Sequence, residues 1–353
     1  MNYGTKIKHP GRYGNKMENL VERKETELTG ILGIEKMDLI SKYVDKSKWE
    51  LYRETYNKAS SLDVITNFPL QIDFELNSTC NLKCPMCPLS VEVNSEKTSD
   101  LFPIELFKDI VSDGVKKGLS AIKLNYLNEP LLRKDLEDFI KFAKDEGILD
   151  IYLSTNGLLL TKQRIHSLIE AGLTRIQISI DAYSEGIYDE VRPGGNYNKV
   201  VENVLNFTKI KNELNIELPL VRVNFVKTEL NENQLDDFIA FWRNKVDMIG
   251  VQEMVKPPKS SQELYSKKTE KKSDFQCSFP YKQLVITAEG NVLPCCTFYG
   301  EELPLGNIYK DNNLLKFWNS DKIKDLRDLH KSCSYQNNEV CKKCIDGAML
   351  SDE

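Results

Sequence analysis

Histidine is scarce in this chain, and long apolar runs are absent. Only His9, His166 and His330 occur among the 353 residues, which disfavours a metal site built on several imidazole ligands. No apolar run reaches the length of about 18 residues that a membrane helix needs. Residues 1–16 are polar and lack the apolar core of a secretion signal. These absences predict a cytoplasmic protein without a membrane partner.

An excess of one charge is also missing. The formal net charge is −5, with acidic and basic residues mixed along the chain. A nucleic-acid-binding surface would be basic and clustered, so we expect no nucleic-acid partner. The charged stretch at residues 267–272 is typical of a solvated face or a linker. Hydrophobic residues make up 41% of the chain, enough for the core of one large domain and a smaller one.

The nine cysteines, in contrast, are grouped. Cys80, Cys84 and Cys87 have C-x3-C-x2-C spacing in the run Cys-Asn-Leu-Lys-Cys-Pro-Met-Cys. In a reducing compartment, grouped cysteines indicate metal ligation more than disulfides. A four-iron, four-sulfur cluster that receives only three local cysteines keeps one iron open for a small molecule. A zinc site with a distant fourth ligand is the alternative, although zinc knuckles favour paired cysteine arms.

Strand and helix patterns alternate between about residues 68 and 255. Leu70, Ile72, Phe74 and Leu76 alternate with polar residues and predict a first strand that leads into the cysteine run. Six such units predict an α/β fold, a partial (β/α)6 TIM-like barrel with its active site at the carboxyl ends of parallel strands. Further strands are predicted at 121–126, 150–154, 175–180, 220–227 and 248–254, and helices at 102–116, 136–146, 161–171, 197–213 and 232–242.

Different patterns flank this barrel region. Residues 17–32 and 36–60 have helical periodicity, and we predict that residues 1–66 form a helical N-terminal extension that caps the barrel or docks a partner. Residues 256–272, rich in Pro, Ser and Lys, mark a boundary. Beyond it we predict a hairpin and short helices. The predicted regions are 1–66, 67–258 and 259–353, with hairpin strands at 283–286 and 292–294 and helices at 314–318 and 322–329.

The cysteine spacing, directly after a first strand, resembles the radical S-adenosylmethionine (SAM) superfamily. The resemblance implies that Cys80, Cys84 and Cys87 hold a [4Fe–4S] cluster whose open iron binds SAM. One electron, from a donor such as flavodoxin or ferredoxin, then cleaves SAM to methionine and a 5′-deoxyadenosyl radical, which abstracts a hydrogen from the substrate. The cofactor supplies this chemistry, and the protein positions and shields it.

Two loops of the barrel resemble the SAM-binding motifs of that superfamily. Met86, directly before the third cysteine, is implied to pack beside adenine, as suits a polarizable side chain. Asn128 and Glu129 follow the second strand in Leu-Asn-Glu-Pro, where the superfamily has Gly-Gly-Glu-Pro. Both glycines are replaced, but Glu129 keeps the carboxylate that receives the SAM ammonium. Ordinary loop packing is the alternative for each residue.

The third and fourth strands end in further motifs of this kind. Ser154 and Asn156 lie in Ser-Thr-Asn-Gly and are implied to bind the ribose or carboxylate of SAM. Ser179 and Asp181 end the fourth strand, near the ribose. Arg192 is implied to pair with the methionyl carboxylate, for which a guanidinium is well suited. A simple Asn-Gly turn and an Arg–Asp ion pair are the alternatives, but the order of all four motifs favours a SAM pocket.

A second group of cysteines resembles the C-terminal SPASM/twitch extension found in radical SAM enzymes. Cys277 is followed by twelve residues, Gly290, four residues and Cys295, and a C-x2-C pair comes later. The resemblance implies one auxiliary [4Fe–4S] cluster that is fully ligated by protein. A four-cysteine zinc ribbon is the alternative. The implied ligands are Cys277, Cys295, Cys341 and Cys344.

Further polar residues are candidates for the reaction itself. Cys296 and Cys333 have three alternative roles: a buried thiol, a cluster ligand in place of one of the four named above, or a hydrogen-atom donor to a substrate radical. Alternation along the fifth strand points Arg222 and Asn224 into the barrel. Glu253, at the end of the sixth strand, is a candidate general base. A salt bridge within the barrel is the alternative role for Arg222 and Glu253.

The reaction follows from what a fully ligated auxiliary cluster is able to do. It has no open iron for a substrate, so it passes an electron, as in the aminocyclitol dehydrogenase and sulfatase-maturating enzymes that the chain resembles. We therefore expect oxidation of an alcohol carbon in a small molecule such as a sugar or aminocyclitol. If a thiol returns a hydrogen atom instead, the result is epimerisation. A peptide or protein maturase and a non-catalytic metal-cluster protein are the alternatives.

Overall fold

A computed structural model describes residues 21–22, 29–91, 100–257 and 275–348. In this part of the chain, eleven strands form one sheet. The strands are β1 (Val21–Glu22), β2 (Thr29–Leu32), β3 (Gln71–Phe74), β4 (Ala121–Lys123), β5 (Asp150–Thr155), β6 (Arg175–Ser179), β7 (Leu220–Lys227), β8 (Met248–Glu253), β9 (Gln283–Ile286), β10 (Asn291–Leu293) and β11 (Gly306–Asn307). Their order across the sheet is β1-β2-β8-β7-β6-β5-β4-β3-β9-β10-β11.

Strands β3 to β8 pair in parallel with their neighbours and form the predicted partial barrel. Helices connect them across the outer face. The α-helices are α1 (Lys46–Ser60), α2 (Pro88–Val91), α3 (Ile104–Lys117), α4 (Leu136–Asp145), α5 (Lys162–Ala171), α6 (Glu185–Val191), α7 (Tyr197–Glu213), α8 (Leu235–Trp242), α9 (Phe279–Lys282), α10 (Leu314–Trp318), α11 (Asp321–Lys331) and α12 (Glu339–Ala348). Shorter 3-10 helices cover Ile34–Lys42, Pro130–Leu132, Glu232–Gln234, Phe298–Glu302 and Tyr335–Asn337.

Side-chain alternation in β3 separates an apolar layer from a polar interior. The Phe74 ring packs edge to face on Phe107 of α3, with 4.8 Å between ring centroids, because alternate strand residues face the helices. The intervening Gln71 and Asp73 are buried as well, and Gln71 Nε2 donates to Asp73 Oδ1 at 2.6 Å. The same amide donates to the Tyr152 hydroxyl on β5 at 2.9 Å. The barrel interior is therefore lined by polar groups that bond to one another.

The C-terminal region continues the barrel sheet. Strand β9 pairs in parallel with β3, from Gln71 opposite Gln283 to Phe74 opposite Ile286. Strand β10 then returns antiparallel to β9, which confirms the predicted hairpin. Gly290 in its turn has φ +84°, a conformation that favours glycine. The two regions predicted on either side of residue 258 thus share one sheet.

The predicted helix over residues 17–32 is wrong where the structure describes that segment. Residues 21–22 and 29–32 are strands, and 17–20 and 23–28 lie outside the described residues. Strand β2 pairs antiparallel with β8, from Thr29 opposite Gln252 to Leu32 opposite Ile249. The last barrel strand would otherwise leave an unpaired edge, and this long-range pairing overrides the local pattern. The helical prediction for 36–60 holds as a 3-10 helix followed by α1.

Helix α1 covers the amino-terminal end of the barrel. Its Trp49, Tyr52 and Tyr56 are buried in one cluster with residues that begin the strands. The Arg53 guanidinium lies over the Tyr56 ring at 5.1 Å, which adds a cation–π contact. With this end covered, the carboxyl ends of the strands remain for a site. The strand-start residues in the cluster are Leu70, Ala121, Leu149, Leu220 and Met248. In the described part of the chain, every helix is too short or too polar to span a membrane.

A buried ion pair at this covered end gives a stability test. Asp150 on β5 accepts from Arg175 Nη2 at 2.6 Å and from Thr174 Oγ1 at 2.9 Å. Replacing Asp150 with Ala leaves the Arg175 charge buried and uncompensated, so we expect the free energy of unfolding to fall by about 3–5 kcal/mol. Urea denaturation measures the change. Asp113→Ala, which removes an exposed pair with Lys117, is the control and should cost less than about 1 kcal/mol. Equal losses in the two variants would contradict the assignment.

Candidate functional site

The first cysteine group lies in the loop that follows β3. The loop winds through hydrogen bonds from the Cys87 amide to the Cys84 carbonyl and from the Ser90 amide to the Cys87 carbonyl, both 3.0 Å. Burial raises the pKa of Cys87 to about 11, and the neighbouring Cys84 and Cys80 raise it further. Burial also raises the pKa values of Cys80 and Cys84. The three thiols are therefore close together, and a bound cation is what would hold them as thiolates.

A buried ion pair lies beside this group. Arg192 Nη2 donates to Asp181, and Arg192 Nη1 lies 3.8 Å from the Cys84 sulfur. Asp181 is held at φ +61°, with its other carboxylate oxygen accepting from the Val226 amide at 2.8 Å. Asn231 fixes it further by donating to the Asp181 carbonyl at 2.8 Å. Arg192 Nε is buried and has no hydrogen-bond partner among the described residues, so this guanidinium presents a donor for an anionic ligand.

Glu129 connects three loops at the carboxyl ends of the strands. Its carboxylate accepts from the Leu131 amide at 3.0 Å, the Thr155 hydroxyl at 2.6 Å and the Asn156 amide at 2.8 Å. Burial raises the pKa of Glu129, while these hydrogen bonds lower it. Its own amide donates to the carbonyl of Thr79, directly before the cysteines. An ionised carboxylate has about four lone-pair sites, so one acceptor position remains for a ligand.

The asparagines predicted to bind SAM hold loops in place. Asn128 Oδ1 accepts from the Tyr126 amide at 2.9 Å, and its Nδ2 donates to Asn77 at 2.8 Å. The side chain of Asn156 donates to Asn81 at 2.8 Å. Asn77 and Asn81 flank Cys80 and were not predicted. The sequence did contain a signal for them, because both lie close to Cys80 and asparagine side chains commonly form hydrogen bonds within turns.

Three other predicted cofactor residues border the same end of the barrel. Ser154 and Ser179 end the neighbouring strands β5 and β6, and both are half-buried. Neither hydroxyl makes a side-chain hydrogen bond within the described residues, so both are available to a ligand. Met86 lies in the cysteine loop and packs against the main hydrophobic core with part of its side chain accessible.

The second cysteine group surrounds a separate cavity of about 290 Å³. Thr297 Oγ1 lies 3.7 Å from the sulfurs of both Cys295 and Cys344. Burial raises the pKa of Cys277 to about 11 and that of Cys341 to about 12. Burial also raises the pKa of Cys295 to about 12 and that of Cys344 well above its ordinary value. All four predicted auxiliary ligands thus face one cavity.

The donor set fits an iron–sulfur cluster. Such a cluster takes one cysteine at each of its four irons, and four cysteines line this cavity. Tyr335 packs against Cys277 and Cys341, and its buried hydroxyl has no partner among the described residues.

The two spare cysteines have different surroundings. Cys296 packs with Tyr126, Val285 and Leu293, between the barrel and the auxiliary cavity. Burial raises the pKa of Cys296 to about 12, and the negative charge of Asp73 in the barrel raises it further. Cys333 follows α11 with φ +54° and does not line the cavity.

The candidates on β7 are in the barrel interior, whereas Glu253, at the end of β8, lines the auxiliary cavity. Arg222 and Asn224 are buried, and they leave no space for a Cβ at Gly250 on the neighbouring strand. Both therefore face inward, as the alternation predicted. Glu253 forms an ion pair with Lys227 at the ends of the two strands. This contact is the salt bridge that the sequence left open as an alternative for Glu253.

Sequence reasoning missed the acidic residues of β3 and the segment after it. Asp73 lies in the barrel interior, close enough to Cys296 for its negative charge to raise the pKa of that thiol. Glu75 accepts from the Leu127 amide at 3.2 Å and the Ala288 amide at 3.1 Å, which ties the barrel to the C-terminal hairpin. The signal was their alternation with the apolar residues of the same strand.

Comparisons with known proteins agree with this arrangement. Residues 74–226 match the radical SAM superfamily, and residues 277–345 match the SPASM iron–sulfur cluster-binding domain. The chain is 32% identical over 173 residues to a GTP 3′,8-cyclase of Alkaliphilus oremlandii (strain OhILAs), covering 48% of this chain and 51% of that protein. It is 33% identical over 169 residues to a probable GTP 3′,8-cyclase of Methanocaldococcus jannaschii, covering 48% and 53%. The chain thus spans about half the length of these relatives.

Solved structures share the fold at low sequence identity. BtrN in complex with AdoMet and 2-DOIA has a TM-score of 0.53 and 19% identity, covering 82% of this chain and 98% of BtrN. SuiB of Streptococcus suis bound to S-adenosylmethionine has a TM-score of 0.61 and 15% identity, covering 84% and 76%. The sulfatase maturase anSMEcpe with bound AdoMet has a TM-score of 0.57 and 16% identity, covering 79% and 89%.

The superfamily, the partial barrel and the C-terminal extension predicted from the sequence are confirmed. The chain therefore carries a radical SAM domain over residues 74–226 and a SPASM domain over residues 277–345, and these two domains imply a SAM-dependent [4Fe–4S] cluster and auxiliary iron–sulfur chemistry.

Proposed function

We propose that this enzyme oxidises an alcohol carbon of a small polar molecule, such as a sugar or aminocyclitol, by two electrons. The observation that supports this reaction is the set of four cysteines around one cavity, enough to occupy every iron of an auxiliary cluster. When bound, SAM and the clusters supply two things: a 5′-deoxyadenosyl radical, which removes one hydrogen atom from the substrate, and an acceptor for one electron. The hydroxyl proton leaves to a base, and the alcohol carbon becomes a carbonyl.

Two groups of residues hold the cofactors in this proposal. Cys80, Cys84 and Cys87 hold the cluster that binds SAM, and the fourth iron remains for the amino acid end of SAM. Glu129 receives the ammonium in its remaining acceptor position, and Arg192 offers its unpartnered Nε to the carboxylate. Met86, Ser154 and Ser179 contact adenine and ribose, while Asn128, Asn156 and Asp181 keep their neighbours in position.

The substrate binds in the polar interior of the barrel. Arg222 and Asn224 face this space, and the Oδ1 atom of Asn224 is buried without a partner among the described residues. Glu253 accepts the hydroxyl proton, and its ion pair with Lys227 holds the carboxylate at the ends of β7 and β8. A polyol or amino sugar supplies the hydroxyl and amine groups that match such a lining.

Epimerisation is the second candidate, and the position of Cys296 favours it. Its thiol lies between the barrel interior and the auxiliary cavity, where a hydrogen atom could pass from sulfur to a substrate radical. In that case the substrate loses and regains one hydrogen atom, with no net oxidation. Cys333 lies outside the cavity lining, so the same role does not suit it. The GTP cyclisation named for the relatives is a third candidate, supported by identity over about half the chain.

Removing the first cysteine group tests the assignment of two clusters. Replacing Cys80, Cys84 and Cys87 with Ala should remove about half of the iron and abolish 5′-deoxyadenosine formation, because only the auxiliary cluster remains. Anaerobic iron and sulfide analysis and chromatography of the SAM products measure both effects. Cys333→Ala is the control and should keep both properties. Complete loss of iron, or zinc in its place, would contradict the auxiliary cluster.

Glu129→Gln tests the proposed contact with the SAM ammonium. The amide keeps the size of the side chain but removes its charge, and a hydrogen bond to a charged group contributes about 1.5–3 kcal/mol. We expect SAM to bind about 10- to 100-fold more weakly, as measured by anaerobic calorimetry on the reconstituted enzyme. Glu170→Gln, on the exposed face of α5, is the matched control. Unchanged affinity in the Glu129 variant would rule out the contact.

Cys296→Ala separates oxidation from epimerisation. In deuterated water, with SAM, dithionite and an aminocyclitol, the oxidation reaction should give a carbonyl product without carbon-bound deuterium, and the variant should keep turnover within a few-fold. Mass spectrometry follows the label, and the control is Cys333→Ala. A deuterated product that disappears in the Cys296 variant, while 5′-deoxyadenosine still forms, would establish epimerisation. Turnover of GTP alone would support the cyclase candidate instead.

A further inference from the structure

A buried histidine borders the auxiliary cavity and has no part in the proposed reaction. His330 lies in the last turn of α11, is 2% exposed and lines the cavity with the four cysteines. It is among the 3 histidines of the whole chain. Most of the remaining lining is apolar, and a polar ring in such a wall needs a hydrogen-bond partner. The apolar neighbours include Phe275, Phe279, Pro280, Leu326, Val340 and Ile345.

One hydrogen bond determines which ring nitrogen carries the proton. The backbone amide of Cys277 donates to His330 Nδ1 at 3.3 Å. A nitrogen that accepts a hydrogen bond carries no hydrogen, so the single N–H of the neutral ring is on Nε2. The Nε2–H group makes no hydrogen bond with any residue that the structure describes. A donor is thus buried at the cavity wall, directly beside a proposed ligand, without an acceptor from protein.

The acceptors that the cavity offers are sulfur atoms. Once a cluster is bound by the four cysteines, its sulfides and thiolates carry negative charge and accept hydrogen bonds from nearby N–H groups. We propose that His330 donates a hydrogen bond from Nε2 to a sulfur of the auxiliary cluster and thereby raises the reduction potential of that cluster. This inference rests on the proposed function, since it requires an auxiliary cluster at Cys277, Cys295, Cys341 and Cys344.

The consequence concerns electron transfer from the substrate. A hydrogen bond to a cluster sulfur stabilises the additional negative charge of the reduced state more than the oxidised state, so the potential rises. A higher potential makes the cluster a better acceptor for the electron that the substrate radical loses. His330 is therefore a positioning residue that acts through the cluster and does not touch the substrate.

Two substitutions separate the donor from the structural bond. His330→Asn places an amide oxygen near the position of Nδ1, so it keeps the acceptor for the Cys277 amide but removes the distal donor. His330→Gln places an N–H group near the position of Nε2. In redox titrations followed by electron paramagnetic resonance on the two-cluster enzyme, we expect a more negative auxiliary potential in the Asn variant. The Gln variant should recover most of the change, and His166→Asn, on the exposed face of α5, should have no effect.

A measurement on the unsubstituted side chain covers the case in which the variants fail to load iron. Pulsed electron paramagnetic resonance of the reduced enzyme, labelled with 15N-histidine, should detect a histidine nitrogen coupled to the auxiliary cluster. A fully loaded Asn variant with the wild-type potential, or no coupled nitrogen, would overturn the inference. The Cys80/Cys84/Cys87→Ala protein contains only the auxiliary cluster, so its spectrum assigns the auxiliary signal. If this protein gives no such signal, the proposed function itself fails, because the chain then has no auxiliary cluster.

Discussion

The parallel pairing of β9 with β3 is the constraint on which the two-site arrangement depends. Strand β3 leads into the loop of Cys80, and the hairpin after β9 leads to Cys295. This pairing makes the hairpin that carries the second cysteine group a continuation of the barrel sheet, beside the strand that leads to the first group. Glu75 strengthens the connection by accepting hydrogen bonds from the Leu127 amide, in the loop after β4, and from the Ala288 amide, in the hairpin. The Tyr126 hydroxyl adds a bond of 2.8 Å to the Thr297 carbonyl.

A polar interior and a closed opposite end complete this design. Helix α1 covers the strand starts with aromatic residues, and polar groups such as Asp73 and Asn224 are buried within the barrel. In the proposed reaction, the substrate lies between the radical source and the electron acceptor. Cys296 borders both the barrel residue Tyr126 and the auxiliary cavity, which is why its role distinguishes oxidation from epimerisation.

Local sequence predicted most of the barrel but not its long-range edges. Alternation predicted β7 at 220–227 and the hairpin after residue 283, because the apolar residues of a strand mark the side that is buried. The segment Thr29–Leu32 is a strand only because the edge of β8 lies beside it, a partner that local periodicity does not reveal. In the site, cysteine spacing predicted both groups. The supporting Asn77 and Asn81 were missed because their partners, Asn128 and Asn156, lie in other loops that the sequence near Cys80 does not identify.

The central claim is that one chain carries two clusters with different coordination, one open to SAM and one closed by cysteine. Mössbauer spectroscopy of the enzyme loaded with 57Fe, recorded with and without SAM, tests it most directly. The account predicts about eight irons in two clusters, and a change in the signal of about one of them when SAM binds. A single cluster, or SAM-dependent changes in irons of both clusters, would contradict it.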